Sequence, residues 1–218
     1  MIRMSESNEM FTILIVVGLL LVALAKFFYS KRFSNFVYLP GNSKYLIIHT
    51  RDQKFFDKFD ALLFSNFIIS LSLFISISYK SFTGYSILSI DTFLKLMVAL
   101  AAFILTKVLL ERLIGSLFGI DELMDSYLFQ KTSYKNYLGL ILIPLNAFFF
   151  FNQSPNEIIV LITLSVLILI NLIGLIVSFK VHQNTLVGNL FYFILYLCAL
   201  EIAPYIIIYK LLQVFKVF

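Results

Sequence analysis

The sequence predicts an all-α integral membrane protein, a six-helix transmembrane bundle with short interfacial amphipathic helices. Three observations support this: 61% of the 218 residues are hydrophobic, only 13% are charged, and the mean hydropathy is +0.95. A soluble domain has about 45–50% apolar and about 25% charged residues, and a core of this size cannot hide the excess. We therefore expect a single membrane domain, residues 1–218, whose outer surface is covered by lipid.

Six apolar segments are long enough to cross a bilayer as helices. About 20 mostly apolar residues are needed to span the hydrocarbon core, and a backbone in lipid must pair its polar groups within its own segment, which favours helices. The predicted spans are residues 10–28, 61–79, 90–113, 137–151, 158–179 and 186–212. The fourth is short and contains Pro144, so it is the weakest of the six.

The first apolar segment has two interpretations, a cleaved signal peptide or a retained span. It ends in the tripeptide Ala-Leu-Ala at residues 23–25, which resembles a cleavage site. However, Glu6 and Glu9 precede the segment and Lys26 follows it, which is the reverse of the charge order in a signal peptide. We expect a retained span whose N-terminus lies outside the cytoplasm.

The distribution of Lys and Arg predicts the orientation, because cytoplasmic loops carry the excess of these residues. The side with more of them holds Lys26, Lys31, Arg32, Lys44, Arg51, Lys54, Lys58, Lys107, Arg112, Lys131, Lys135 and Lys180. The opposite side holds Arg3, Lys80, Lys95, Lys210 and Lys216. The side with twelve basic residues is therefore expected to be cytoplasmic, and both termini of a six-span chain are then periplasmic.

Two cytoplasmic connections, residues 29–60 and 114–136, contain most of the chain outside the predicted spans. In the first, the apolar runs 36–39 and 45–48 flank the turn-forming residues Pro-Gly-Asn at 40–42. Two apolar runs separated by such residues are typical of a β-hairpin. The sequence therefore predicts a short hairpin here.

Each connection also contains a segment with apolar residues at helical spacing. These segments are residues 52–64 and 119–134. Such spacing favours amphipathic helices that lie at the membrane interface. The alternative is a docking surface for a partner protein. Neither connection is large enough to build a core of its own, so we expect no soluble domain.

Glu201 is the deepest ionisable residue, near the middle of the sixth predicted span. Burial of a charge there costs at least about 2.5 kcal/mol, which makes such a residue a functional hypothesis by default. Pro204 lacks a backbone N–H and leaves the carbonyl of Leu200 without its helical partner. This arrangement predicts a proton or cation site. The alternative is a protonated Glu that hydrogen-bonds a neighbouring helix and fixes the bundle.

The third and the two following spans carry further polar residues. Lys107 and Glu111 lie four residues apart, hence on one helix face, and Arg112 follows them. They form a candidate polar face, although long side chains near the end of a span can also reach water at the membrane surface. Asn146 in the fourth span and Asn171 in the fifth are predicted to hydrogen-bond across helices.

The sequence contains no pattern that predicts catalysis or cofactor binding. His49 and His182 are isolated, and no second ligand stands at metal spacing from either. The eight glycines are scattered and form no phosphate-binding loop. The basic residues form no nucleic-acid motif, and anionic lipid headgroups account for the net charge of +5. We therefore expect no enzyme, no cofactor, no metal and no nucleic-acid partner.

Two apolar segments resemble a known family. The stretch Leu195–Pro204 is similar to the closing signature of an uncharacterised multi-span inner-membrane protein family of Bacteroidota, and Tyr137–Leu145 resembles its fourth-span pattern. That family is described only as a domain of unknown function. The resemblance implies the inner membrane of a diderm bacterium, and it implies no activity and no catalytic residues.

Two functions remain open on these observations. The first is a non-catalytic membrane subunit or scaffold that associates with other membrane proteins in a larger inner-membrane complex, such as envelope or export machinery. Its basis is the lack of catalytic motifs together with aromatic spans that can pack against protein as well as lipid. The alternative is a small proton- or cation-coupled transporter that uses Glu201.

Overall fold

The computed structural model describes residues 3–39, 45–46, 57–84, 89–117, 119–151 and 156–186, and every regular element in these ranges is a helix. The helices are α1 (Arg3–Phe28), α2 (Ser30–Val37), α3 (Lys58–Thr83), α4 (Ile90–Leu117), α5 (Asp121–Phe151) and α6 (Glu157–Leu186). Apart from Leu186, the predicted sixth span at 186–212 lies outside the described residues.

Five of these helices are long and apolar enough to cross a bilayer. The qualifying segments are Glu9–Phe28, Lys58–Thr83, Ile90–Leu117, Met124–Phe151 and Glu157–Gly174, with mean hydropathies from 1.2 to 2.6. Each of these segments overlaps one of the first five predicted spans. Helices of this length and composition indicate a membrane protein.

Helices α3 and α5 form the centre of the bundle, and α1, α4 and α6 pack around them. In the apolar segments of α3 and α5, 56% and 44% of the residues are buried, against 22% in each of α1, α4 and α6. At one end, Phe11 of α1 stacks on Phe150 of α5 and meets Phe93 of α4 edge to face, with ring centroids 5.9 and 5.4 Å apart. The outer three helices therefore use only one face for contacts within the described bundle.

The predicted hairpin in the first connection is wrong. Residues 30–37 form helix α2, and Tyr45 and Leu46, the described part of the second predicted strand, are also helical. Phe33 and Phe36 are three residues apart, so a helix buries both on one side, whereas a strand would point them to opposite faces. Helix α2 is thus a short amphipathic helix after α1.

The two segments predicted as interfacial helices belong to longer helices where they are described. Residues 58–64 are the first turns of α3, which begins after Asp57, and residues 121–134 are the first half of α5. No Gly or Pro interrupts the chain between Asp121 and Gly139, so nothing ends the helix before the apolar part. Of the predicted connection 114–136, only 118–120 separates α4 from α5.

Helix α5 is also longer than its apolar part. Its 31 residues continue through Pro144, and at 1.5 Å per residue they span about 46 Å, against about 30 Å for a hydrocarbon core. The doubtful fourth span is thus the apolar half of a longer helix, and its polar half extends beyond it to Asp121. Gly119, with φ of 65°, lies in the turn that precedes this helix.

A close backbone contact between two helices lies between Gly139 of α5 and Phe67 of α3. A Cβ atom placed on Gly139 would lie 2.6 Å from the Phe67 Cα atom and 3.0 Å from its backbone nitrogen. Because backbone atoms cannot move aside as a side-chain end can, only glycine fits at this position. The missing side chain lets the two central helices approach, as small residues do in other membrane helix pairs.

We expect Gly139→Ala to destabilise the protein, because the added methyl group must push α5 away from α3. Overpacking of this kind costs about 1–3 kcal/mol. The measurement is thermal unfolding of the purified protein in mild detergent. Ala102→Leu is the matched control, because Ala102 is exposed on α4. Equal melting temperatures for the two variants would contradict the close contact.

Candidate functional site

Buried charged groups gather where α1 ends and α5 begins. They form two ion-paired groups on different sides of α5, one against α2 and α3 and the other against α4. We call this the charged end of the bundle and define it by its paired residues, Arg32, Asp57, Asp60, Glu111 and Lys131.

Arg32 of α2 binds two carboxylates at the start of α3. Its Nη1 atom donates to Asp57 Oδ2 at 2.6 Å and its Nη2 atom donates to Asp60 Oδ2 at 2.8 Å. The guanidinium carbon also lies 4.6 Å from the ring centroid of Phe59. A planar guanidinium can hold two acceptors in a fixed geometry while it stacks on a ring. Arg32 therefore fixes α2 against the first turn of α3.

Tyr45 packs beside this arginine group. Its ring meets Phe36 of α2 edge to face, with centroids 5.5 Å apart, and lies 5.8 Å from the ring of Phe129 in α5. Burial, together with the negative charge of Asp60, raises the pKa of the Tyr45 hydroxyl above its ordinary value. The hydroxyl therefore stays protonated at neutral pH.

The same carboxylate controls the charge of Arg32. Burial by itself would lower the pKa of the Arg32 guanidinium, but attraction to Asp60 together with interactions with Tyr45 and Asp57 outweighs it, and the pKa lies above its ordinary value. Arg32 is therefore a permanent cation. Since Asn136 of α5 donates a long hydrogen bond of 3.5 Å to the Asp60 backbone carbonyl, this group also contacts the central helix α5.

The second group joins α4 to α5. Lys131 donates from Nζ to Glu111 Oε1 at 2.6 Å, and its ammonium lies 5.5 Å from the Tyr127 ring centroid. Glu111 is 1% exposed and Lys107, one turn away on α4, is 4% exposed, so both lie inside the bundle. By contrast, the neighbouring ion pair lies at the surface. It joins Arg112 Nε to Asp125 Oδ1 at 3.2 Å.

A third polar contact joins α3 to α5 in their apolar parts. Asn146 donates from Nδ2 to the backbone carbonyl of Ser70 at 2.7 Å, and the Ser70 hydroxyl donates to Asn66 Oδ1 at 3.4 Å. All three residues are fully buried. Asn66 Nδ2 and Asn146 Oδ1 have no hydrogen-bond partner within the described part of the chain. Buried amides between membrane helices stabilise a particular helix register.

The residues singled out by the sequence lie in different surroundings in the structure. Asn146 bonds across helices as expected, whereas Asn171 is exposed on α6. Lys107 and Glu111 are buried in contact with other helices and do not reach towards water, and only Arg112 is at the surface. Glu201 and Pro204 lie outside the described residues, so their placement remains a prediction.

Sequence reasoning missed Arg32, Asp60 and Lys131 as paired residues. Arg32 and Asp60 are 28 residues apart in a segment interpreted as a loop, and no spacing rule connects them. Lys131 could have been found, because a turn at residues 118–120 would bring it beside Glu111 in a helical hairpin. Gly119 was the signal for that turn.

These contacts hold helices together through the Arg32–Asp60 and Glu111–Lys131 ion pairs. Among the residues that the structure describes, no group of three or more His, Cys, Asp and Glu side chains is placed to hold a metal ion. The contacts observed at the charged end are ion pairs and hydrogen bonds between helices.

A family model described as "Domain of unknown function (DUF4271)" matches residues 11–212. The match covers most of the chain and agrees with the resemblance to an uncharacterised family inferred from Leu195–Pro204 and Tyr137–Leu145. No curated protein matches the chain. No solved structure matches it either.

We expect Lys131→Met to destabilise the protein strongly, because Glu111 would keep its buried charge and lose the ammonium 2.6 Å away. Breaking one partner of a buried ion pair typically costs about 3–5 kcal/mol. The measurement is thermal unfolding in mild detergent. Arg112→Gln is the control, since loss of an exposed ion pair costs at most about 1 kcal/mol. Similar losses of thermal stability in both variants would show that the Glu111–Lys131 pair stabilises the protein no more than an exposed ion pair does.

Proposed function

We propose that this chain, which belongs to the DUF4271 family, is a non-catalytic polytopic membrane subunit that associates with a larger inner-membrane complex, such as envelope or export machinery. One observation carries the proposal. Two buried ion pairs join neighbouring helices, Arg32 with Asp60 and Glu111 with Lys131. Groups used in this way stabilise a rigid bundle, which suits a scaffold.

The outward faces of the bundle support lateral association. Helix α4 presents a stripe of apolar residues at helical spacing, all exposed: Leu94, Val98, Leu105, Leu109 and Leu113. Lipid tails can cover such a stripe, and so can the apolar helices of another membrane protein, because packing between helices drives association where both surfaces are apolar. Because the ion pairs of the charged end hold α4 against α5, the exposed stripe on α4 would keep a constant orientation.

The proposal includes a topology. Six spans, with 186–212 as the last, place the charged end on the cytoplasmic side, because twelve of the 17 Lys and Arg residues fall there. Both termini are then periplasmic, and the membrane is the inner membrane of a diderm bacterium. Helix α2, with Phe33 and Phe36 buried and its remaining residues more exposed, would lie at the cytoplasmic interface.

We expect the full-length protein, purified from its native membrane in a gentle detergent, to retain a companion membrane protein at constant stoichiometry. A photo-crosslinking amino acid at Leu109, which is exposed on α4, should capture that companion. The same amino acid at the adjacent Val108, which is buried, is the control and should not. Mass spectrometry of the crosslinked band identifies the companion. A clean monomer with no crosslinked protein at either position would contradict the proposal.

A transporter that uses Glu201 is the second candidate. Its support is the buried amide group between α3 and α5, since polar side chains that face the interior of a membrane bundle often mark a pathway for ions or protons. Asn66 and Asn146 each keep one polar atom without a partner among the described residues. These atoms would be available to water or an ion that moves through the bundle.

For this second candidate, Glu201→Gln should abolish proton or cation flux into proteoliposomes that contain a pH- or ion-sensitive dye. The glutamine side chain has the same size as glutamate. Its neutral amide, however, cannot bind the proton or cation that the carboxylate would carry. Glu157→Gln, at the exposed start of α6, is the matched control and should leave the flux unchanged. Full flux in the Glu201 variant would exclude the transporter hypothesis.

A further inference from the structure

Asn171 of α6 carries an amide that its own helix does not satisfy. Thr163 and Ser165, the other uncharged polar side chains between Glu157 and Gly174, each donate a hydroxyl proton to the backbone carbonyl one turn earlier, at 2.9 Å. The Asn171 side chain is exposed, and it forms no such bond with the part of the chain that the structure describes. An amide without a partner is unfavourable in hydrocarbon. Asn171 therefore requires a polar partner outside α6.

Asn171 lies at a depth where water is not expected to be that partner. It follows the charged start of α6 at Glu157 by fourteen residues, which is about 21 Å along a helix. A hydrocarbon core is about 30 Å thick, so a span that enters at Glu157 places Asn171 inside it. The partner is therefore expected to be a protein group that lies against α6.

Asn171 also continues a row of exposed apolar side chains. Leu161, Leu164 and Ile168 precede it, the four residues follow one another at intervals of three, four and three, and the apolar members are 41–52% exposed. This spacing is that of the a and d positions of a heptad repeat, along which two helices pack side by side. Val160, which packs inside the bundle, lies outside the row. The row is therefore available to a second helix.

A second copy of the chain supplies the required partner by symmetry. Copies of a membrane protein share one orientation in the bilayer, so the twofold axis of a dimer runs along the membrane normal. Two α6 helices then pack in parallel, and each residue of the row faces its counterpart at the same depth. Asn171 thus faces the same amide in the other copy. Because an amide carries both donors and an acceptor, the two side chains can bond to each other.

We propose that two copies of this chain pack against each other through α6, with Leu161, Leu164 and Ile168 in an apolar seam and the two Asn171 amides hydrogen-bonded across it. Lipid tails would cover the apolar members of the row but offer the amide no hydrogen-bonding group. A single asparagine in an otherwise apolar seam also fixes the register of the two helices. This contact goes beyond the proposed association with a companion protein, which uses the exposed face of α4.

Disulfide formation between copies tests the contact in native membranes with the full-length protein. Cys198, the single native cysteine, is first replaced by Ala, and one cysteine is then introduced at a time. Leu164→Cys and Asn171→Cys should each give disulfide-linked dimers on oxidation, because each substitution places two thiols across the seam. A non-reducing gel measures the linked fraction.

Ile162→Cys and Leu169→Cys are the matched controls. Each lies two residues from a test position, hence about 3 Å away in depth but on another side of the helix. Ile162 and Leu169 are 58% and 57% exposed, against 41% for Leu164, so exposure alone would favour linkage at the controls. Linkage at 164 and 171 with little at 162 and 169 would support the proposal. Equal linkage at all four positions, or no linkage at 164 and 171 because another segment or a companion protein covers the row, would overturn it.

The contribution of the amide is measured separately, by energy transfer between labelled copies in proteoliposomes as the lipid-to-protein ratio is raised. Asn171→Leu should weaken dimerisation about 3- to 30-fold, the loss expected for a hydrogen bond between membrane helices. Asn171→Gln keeps an amide and should retain most of the association. Leu169→Ala, on the other side of the helix, is the control and should leave it unchanged. Unaltered dimerisation of the Asn171→Leu variant would overturn the amide pairing.

The failure of this proposal can be told apart from the failure of the proposed function. Capture of a companion protein through Leu109 reports on α4, whereas linkage through Leu164 and Asn171 reports on α6. Either result can be obtained without the other. The α6 contact also does not depend on the number of spans, because it requires only that both copies have the same orientation in the membrane.

Discussion

The contact between Gly139 and Phe67 is the constraint on which the bundle depends. Helices α3 and α5 can touch backbone to backbone only because position 139 has no side chain. The outer helices α1, α4 and α6 each bury one face against this central pair and leave the other face apolar and outward. The same approach brings Asn146 within hydrogen-bond distance of the Ser70 carbonyl, and Asn136 near that of Asp60. Packing and polar pairing therefore have a common geometric origin.

The charged end shows how electrostatics complements that packing. Each ion pair joins two helices that follow one another in the chain, α2 with α3 and α4 with α5. Charges removed from water are tolerated only with a partner, so each pair specifies which helices must be neighbours. Apolar surfaces alone would permit many arrangements in lipid, since one apolar helix face resembles another. The charged end thus selects one arrangement, and this selectivity is what a rigid subunit requires.

The hydropathy of the chain was sufficient to predict five membrane-length helices, because lipid imposes the same requirement on every span. It was not sufficient to predict where helices end beyond the apolar parts. The polar half of α5 contains Gln130, Ser133 and Asn136, which look like loop residues by composition but are buried against other helices. Phe36 and Tyr45 were misassigned to a hairpin for a similar reason, since their partners are remote in sequence. Of the candidate site residues, Glu111 was found through its four-residue spacing from Lys107 on one helix face, while the pairing of Arg32 with Asp60 depended on a tertiary contact that no local pattern reveals.

The short turn between α4 and α5 has a consequence for biosynthesis. Glu111 and Lys131 are 20 residues apart and belong to helices that are joined by residues 118–120 alone. A single charged residue opposes entry of a helix into the bilayer by about 2.5–3.5 kcal/mol. If the two helices enter together as one hairpin, the carboxylate and the ammonium pair during insertion and neither is buried as an isolated charge. Synthesis of α6 is not needed for this step, so the translocation machinery would receive α4 and α5 as one neutral unit.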